Sequence, residues 1–515
     1  MDQAPPAGVS SLAEAHSDLG AVLRDAGYGE PGLRRVLGAA PERAVDPEVR
    51  PLAVRRAEEA ADDALASLAR LLVLGSDVDG EEAEGALAPL ALDALAEAGV
   101  LERRDAAVRA LVRILPYEGL LLAHDPPAER GGFEEVTAPG PSARTLASLT
   151  VRRRVHAALD LGSGGGVQGL LLARHADRVV MTDVSERARA VAGLNARLNA
   201  IDNVELRTGD WFEPVAGERF DLIAANLPYV VSPDVDYVHR DNPSERDELS
   251  RSVVGRIGEH LVEGGIAHVL CNWVHGESEP WADAPLAWVA DTGCDALVLH
   301  YASHEPLEYA ASWNRPLRER DPNAYEATID RWLDYYRGAR VERIASGAVV
   351  LRRRGAGAAE RSWARPIEVP DAPTGKAGDH VERLLRAQDE LARLSGPEAL
   401  LAERFEAAPG QRLDQTMAYG EGGYAADAAY MRCMPGVGVT ARVDPRVMPV
   451  VVGCDGKRPL GELIARATES LGRDRVEVAT LCFATVRTAY ELGLIRPVGG
   501  GEAPAAPAPR SAGKR

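Results

Sequence analysis

Between about residue 19 and residue 123 the apolar positions recur at spacings of three and four, as in LAVRRAEEAADDALASLARLLVLG and ALAPLALDALAEAGVL, which predicts amphipathic helices. This region, residues 19–125, closes with ALAEAGVLER, a glycine-terminated helix leading into a short hairpin. It reads either as a winged-helix-like module or as a plain helical cap. A Pro/Gly-rich linker follows over residues 126–150. Then the texture changes. The runs HAALDL, RVVMTD, NVELRTGD, FDLIAAN and IAHVLC alternate with the helix-like VQGLLLARHA and ERARAVAGLNARLNA, predicting an α/β domain over residues 151–354 with a parallel sheet covered on both faces. After GAGAAERS an accessory region spans residues 355–498, containing a helix-turn-helix-like unit at 455–495. Residues 1–18 read as flexible and the Gly/Pro/Ala-rich 499–515 as a disordered tail.

At 515 residues the chain is long enough for two or three cores. Its formal charge of -19 opposes sequence-independent adhesion to phosphate backbones or anionic membrane surfaces. The five cysteines, Cys271, Cys294, Cys433, Cys454 and Cys482, include no closely spaced pair, so neither a disulfide framework nor a metal site is expected. No secretory leader and no membrane-spanning apolar run is visible, which gives a cytoplasmic expectation with no membrane partner.

Candidate chemistry begins with DLGSGGG, residues 160–166, where Gly162, Gly164 and Gly166 let backbone pass close beneath a ligand. Gly164 to Gly169 also satisfies the dinucleotide pattern GxGxxG. Asp160 separates the two readings: a carboxylate beside the loop repels a pyrophosphate but pairs with the ammonium of S-adenosylmethionine. Asp183, ending the second strand, suits a ribose in either cofactor. In TGDWFEP, Asp210 is placed to accept from an adenine amino group, and Trp211 or Phe212 offers the ring an apolar face. Finally NLPY, residues 226–229, follows directly on FDLIAA, at the carboxyl edge of the sheet.

Taken in order, DLGSGGG, TDVS, TGDWFEP and NLPYVVSP resemble the class I S-adenosylmethionine-dependent methyltransferases with an NPPY-like motif. That group includes the methyltransferase small domain enzymes and is similar to release-factor glutamine N5- and N6-adenine methyltransferases. The resemblance implies a Rossmann-like seven-stranded domain flanked by mainly helical, winged-helix-like regions. It implies S-adenosyl-L-methionine as cofactor, held by Asp160, Gly162, Gly164, Gly166, Asp183, Asp210 and Trp211. It further implies catalysis by the Asn226, Leu227, Pro228 and Tyr229 turn: the Asn226 side-chain oxygen and Leu227 carbonyl accept from a planar NH2, and Tyr229 stacks on it. Two aligned acceptors favour a pyramidal nitrogen aimed at the methyl group. Leu227 stands where the family usually has proline, while Pro228 still keeps Leu227 out of the α region.

The implied acceptor is a protein glutamine, an RNA or DNA base, or a small molecule. Three other readings remain open on the sequence: a small-molecule methyltransferase, an NAD(P)-linked oxidoreductase using the GxGxxG, and a non-catalytic DNA-binding regulator with a decayed core. Residues 232–248 are polar enough for a substrate-facing loop. Asn272 and Trp273, at the end of a fifth strand, are expected near the substrate rim. His300 and His304 mimic a metal pair, but the segment ALVLHYA reads as a strand and no third ligand is spaced for it. The arginines at 152–154 and 352–354 read as solvated strand ends.

Overall fold

Strands buried on both faces must be apolar at successive positions, as all but the two edge strands are in the central sheet of the protein, which is built from eight strands. In chain order they are β1 (Val155–Leu161), β2 (Ala176–Asp183), β3 (Val204–Thr208), β4 (Phe220–Asn226), β5 (Leu261–His275), β6 (Cys294–His304), β7 (Arg343–Arg353) and β8 (Ala364–Glu368). A computed structural model describes residues 9–60, 63–126, 135–234, 246–355, 362–394, 396–420, 422–469 and 475–498. The strand order is β8-β6-β7-β5-β4-β1-β2-β3. Only β7 runs against its neighbours β5 and β6; the other pairings are parallel. Asp183, Thr208 and Asn226 therefore emerge at one edge, beside the point where the order reverses between β1 and β4.

Alternate residues of each strand enter different cores. In β1, Ala158 faces one core and Ala157, Leu159 and Leu161 the other; in β5, Ile266 and Leu270 oppose Ala267, Val269, Cys271 and Trp273. On the first face lie α1 (Pro141–Leu149), α2 (Val167–Leu172) and α3 (Glu186–Leu198). On the second lies α4 (Glu248–Ile257), whose Leu249, Val253, Val254 and Ile257 form one apolar stripe.

Several expected boundaries differ from the structure. An eighth strand, β8, joins the sheet from beyond residue 354, so seven strands was one too few. Helix α1 lies inside the stretch expected to be linker and packs Leu146, Ala147 and Leu149 into the sheet core. A helix starts at Val9, within the segment expected to be flexible. Residues 1–8 and 499–515 lie outside the described residues.

The N-terminal region contains helix Ala64–Ala69, strand Val78–Asp79, helices Gly80–Leu87 and Leu92–Glu97, and strands Leu101–Arg104 and Ala107–Ala110. Val78–Asp79 pairs with Ala107–Ala110, which pairs in turn with Leu101–Arg104, all antiparallel. A second hairpin, Arg113–Tyr117 and Leu120–His124, is pinned along α3. Asn195 Oδ1 accepts from Ala123 N–H at 2.6 Å while its Nδ2 donates to the carbonyls of Ala123 and Gly165, coupling the hairpin to the glycine loop.

The C-terminal region shares the first-face core instead of forming its own: Val381, Leu384 and Leu385 of helix Gly378–Arg393 pack there with Phe405, Met431 and Val486. Within it, strand Asp455–Pro459, helix Leu460–Thr468, helix Arg475–Glu491 and strand Ile495–Pro497 follow one another, and both strands flank or join Arg404–Ala407 in a small sheet.

Candidate active site

The loop after β1 is tied to β2 by its backbone. Gly162 and Ser163 N–H both donate to the Thr182 carbonyl, and Gly164 N–H donates to Asp183 Oδ2 at 2.8 Å. Gly162 (φ +71°) and Gly164 (φ +51°) adopt left-handed conformations that favour glycine, and a Cβ at either would project into open space. That combination is a cradle: backbone bent by its anchors, with room left above. Asp183 Oδ1 also accepts from Ser185 N–H at 2.9 Å, which fixes the carboxylate at the end of β2. Beside it Thr182 Oγ1 is buried with no hydrogen-bond partner. These features fit an adenosyl cofactor's ribose and tail.

Asp160 sits beneath the cradle, only 1% exposed, with Oδ2 accepting from Gly169 N–H at 2.7 Å in the first turn of α2. Burial pushes its carboxyl up to about 7, the Gly169 N–H opposes that shift and Asp183 reinforces it. After β3, Asp210 is exposed, and Trp211 is half-buried at φ +42°, a conformation that costs a non-glycine residue energy and recurs at functional sites. Phe212 is spoken for: it is buried and stacked on His260, with centroids 4.4 Å apart and Arg256 over its ring. Of the two aromatic candidates, Trp211 is the one left partly exposed, the rest of its ring packing on the second-face core.

At the end of β4, Asn226 Nδ2 donates to Ser142 Oγ at 3.3 Å, and the Ser142 hydroxyl is also hydrogen-bonded to Tyr229. This arrangement commits the amide's nitrogen end to α1. Asn226 Oδ1 is buried and has no partner. An unsatisfied buried acceptor costs about 1–3 kcal/mol, a cost that an incoming donor would relieve. Leu227 anchors the turn in the second-face core at 2% exposure. The Tyr229 ring packs between both cores, and burial raises its phenol pKa.

Tyr301, which the sequence did not single out, sits where β6 slips register against β7 between His300 and Ala302. Its hydroxyl is buried without a partner, and burial together with nearby Cys271 and Tyr229 raises its pKa well above the usual phenol range. Tyr301 and Asn226 thus present two orphaned polar atoms around Tyr229. Ser142 was likewise missed, since nothing in PSART distinguishes it from a linker serine.

Helices α5 (Pro306–Trp313) and α6 (Pro322–Gly338), inserted between β6 and β7, clamp the chain leaving the turn. Tyr336 OH donates to the Val231 carbonyl at 2.8 Å, Val231 N–H donates to Tyr309 OH, and Asp234 Oδ2 accepts from Trp332 Nε1 at 2.8 Å with Arg331 on Oδ1. Most of the expected substrate loop, residues 235–245, lies outside the described residues. At its far end Asp247 Oδ2 accepts from Val274 N–H at 3.1 Å. Asp234→Ala leaves the buried Trp332 N–H unpaired and is expected to lower stability by about 2 kcal/mol, read by urea unfolding.

Asn272 and Trp273 take roles other than rim contacts. Asn272 is 2% exposed, and its Nδ2 donates to Tyr309 OH at 2.7 Å, so it positions the clamp. Trp273 is fully buried and donates to the Trp281 carbonyl, because β5 runs 15 residues and keeps position 273 within the sheet. His300 Nε2 bonds Ser303 Oγ and its ring stacks on Trp281; His304 meets Glu308. Among the described residues no His, Cys, Asp or Glu group has metal-binding geometry. The expected solvated arginines are paired: Arg152 with Glu118, Arg352 with Asp295 and Asp389, Arg354 with Asp295. All five cysteines are buried and free. No helix among the described residues is long and apolar enough to cross a membrane.

Residues 141–242 match the methyltransferase small domain family. Residues 25–111 and 383–497 match two families described as domains of unknown function (DUF7059 and DUF7782). A release factor glutamine methyltransferase from Xylella fastidiosa is 38% identical over 102 residues, 19% of this chain and 37% of that protein. A ribosomal protein uL3 glutamine methyltransferase from Francisella tularensis is 28% identical over 163 residues, 28% of this chain and 52% of that protein. The chain thus spans about a third to a half of the length of these two relatives. Among solved structures, an rRNA methylase from Streptococcus thermophilus aligns at 18% identity and a TM-score of 0.24, covering 42% of this chain and 95% of that one.

Proposed function

We propose, from the methyltransferase small domain at residues 141–242 and the site built on it, that this protein is an S-adenosylmethionine-dependent methyltransferase that N-methylates a planar amide, with a protein glutamine as the acceptor. The observation that carries the proposal is Asn226 Oδ1, a buried acceptor without a donor at the carboxyl edge of the sheet. Relatives named as glutamine methyltransferases supply the acceptor class.

When bound, S-adenosylmethionine supplies an electrophilic methyl group. Everything else falls to this chain. Gly162 and Gly164 admit the cofactor, Asp183 takes its ribose hydroxyls, and Asp210 with Trp211 takes its adenine. Asn226 Oδ1 and the Leu227 carbonyl each accept one N–H of the substrate amide. An amide nitrogen is a poor nucleophile because its lone pair is delocalised, and two fixed acceptors favour the pyramidal geometry in which that pair is free. As the methyl–nitrogen bond formed, the cofactor's sulfur would keep the electron pair of the broken S–C bond, positive charge would grow on nitrogen, both acceptors would gain strength, and one of the two N–H protons would be lost to solvent. Tyr229 covers the amide plane.

The Tyr301 hydroxyl is placed in this reading against the substrate, where it donates to the amide carbonyl. Tyr301→Phe removes an orphaned hydroxyl, so stability is expected to hold or rise slightly while kcat/KM for the acceptor falls about tenfold. Equal activity in the variant, measured with saturating cofactor, places Tyr301 outside the reaction.

The helix, strand, helix, helix, strand, strand order of residues 64–110 supports reading that region as a winged-helix module presenting the acceptor protein. Five unpaired cysteines support a cytoplasmic location. Mass spectrometry of the proteome with and without the gene tests the function: one glutamine should lose a methyl increment on deletion, and an unchanged proteome with changed RNA or metabolites would assign another acceptor.

A further inference from the structure

Away from the cradle and the acceptor turn, a cavity of about 550 Å³ opens between the N-terminal region and residues 135–144. Its walls bring together Arg50, Arg113, Arg144 and His124 with the apolar side chains of Val73, Leu74 and Leu115.

The charges there are unevenly paired. Arg144 has Glu42 at 3.7 Å and lies over the Tyr117 ring. Arg113 is half-buried, yet its one hydrogen bond among the described residues is Nη1 to the Ala110 carbonyl at 3.1 Å. Arg50 likewise bonds a carbonyl, that of Leu74, at 3.0 Å. Neither meets a carboxylate among the described residues. Gly75 makes room for Arg113: at φ +66° it is left-handed, and a Cβ there would overlap the guanidinium. The acids of the lining are engaged elsewhere: Glu42 with Arg144, Asp125 with Arg187 and the Val136 N–H, and Glu135 with a partner of its own.

His124 completes the pattern. It is 8% exposed, and its Nδ1 bonds the Asp125 carbonyl at 2.8 Å, which fixes the proton there and leaves Nε2 as a lone pair. That Nε2 is buried with no partner. Burial lowers the pKa of the ring, the bond to the Asp125 carbonyl opposes that shift and the nearby Arg113 reinforces it.

A half-buried guanidinium without a counter-ion beside a second cation and an orphaned imidazole nitrogen is costly in the free protein. Each of the three becomes satisfied by one kind of visitor. We propose that this cavity binds a small organic oxyanion, a phosphate or carboxylate on an apolar body, held by Arg113 and Arg50 with His124 Nε2 accepting from a hydroxyl or N–H of the same ligand. Val73, Leu74 and Leu115 take the apolar part. The site is independent of methyl transfer and stands or falls separately from it.

Calorimetric titration of the full chain with inorganic phosphate, phenyl phosphate and benzoate, at fixed ionic strength in chloride, tests this. Saturable one-site binding is expected, tighter for phenyl phosphate or benzoate than for inorganic phosphate, and weakened about tenfold or more in Arg113→Gln and in Arg50→Gln. Preference for phenyl phosphate or for benzoate assigns the anion. Arg50 is exposed, so Arg50→Gln decides the matter if Arg113→Gln fails to fold. Absence of saturable binding by all three probes, or binding unchanged in the folded variants, overturns the proposal.

Discussion

Asn226→Ala is expected to lower turnover about a thousandfold while leaving cofactor affinity within about twofold of the wild type. The asymmetry follows from position. Asn226 makes no hydrogen bond to the cradle among the described residues: its Nδ2 is held by Ser142 and its Oδ1 has no partner. Removing the side chain deletes an acceptor that strengthens as charge builds on the substrate nitrogen, so the loss falls on kcat more than on KM. Stability is expected to change little, since the variant sheds an unsatisfied oxygen along with one long hydrogen bond. Single-turnover assays and calorimetry with the cofactor measure the two quantities separately. Loss of cofactor binding in parallel with turnover would mean that Asn226 shapes the cradle and does not act on the acceptor.

The second large effect concerns Asp160. Its carboxyl is raised to about 7 by burial, against an ordinary aspartate near 3.8. The folded protein therefore binds the extra proton between roughly pH 4 and 7, and the unfolded chain does not. Stability contributed by this group is greatest at low pH, declines as pH rises through that window, and stays low above it. Asp160→Asn keeps the acceptor for Gly169 N–H and removes the ionisation, so the variant is expected to match the wild type at about pH 4 and below and to melt progressively higher than it from there to pH 8 without cofactor. Cofactor binding moves oppositely. An ammonium group favours the ionised carboxylate, so wild-type affinity is expected to rise from pH 5.5 to 7.5. The asparagine variant should be flat across that range and about tenfold weaker at its upper end. A pH-independent wild-type affinity would remove Asp160 from cofactor binding and leave it the structural role of capping α2.

Much of the sheet was legible because burial on both faces leaves unbroken apolar runs: HAALDL, RVVMTD and FDLIAAN became β1, β2 and β4. The segment that became β8, ARPIE, was not, since a five-residue edge strand carrying Pro366 and alternating charge has no such signature. Helix α1 was hidden by Pro141 and Ser142, which read as linker composition although proline at the first helical position is a helix start. The cradle and the acceptor turn were visible as ordered motifs. Ser142 and Tyr301 were not, because each reaches the turn across a long sequence separation: Ser142 lies 84 residues from Asn226. Trp273 was misplaced by counting outward from a presumed strand end when the strand continues to His275. The cavity lined by Arg50, Arg113 and His124 was equally invisible, since these residues meet only once the N-terminal hairpin is laid along α3.

The most direct test of the central claim is transfer of labelled methyl from S-adenosylmethionine into protein. Purified wild-type protein and Asn226→Ala are incubated with an extract of cells lacking the gene, and the protein fraction is hydrolysed in acid. Label released as methylamine, as an N-methylated glutamine side chain yields, and reduced about a thousandfold with Asn226→Ala, is the result the site predicts. Cofactor binding with no label in the protein fraction, or label that leaves as methanol from an ester, would contradict amide N-methylation by this chain.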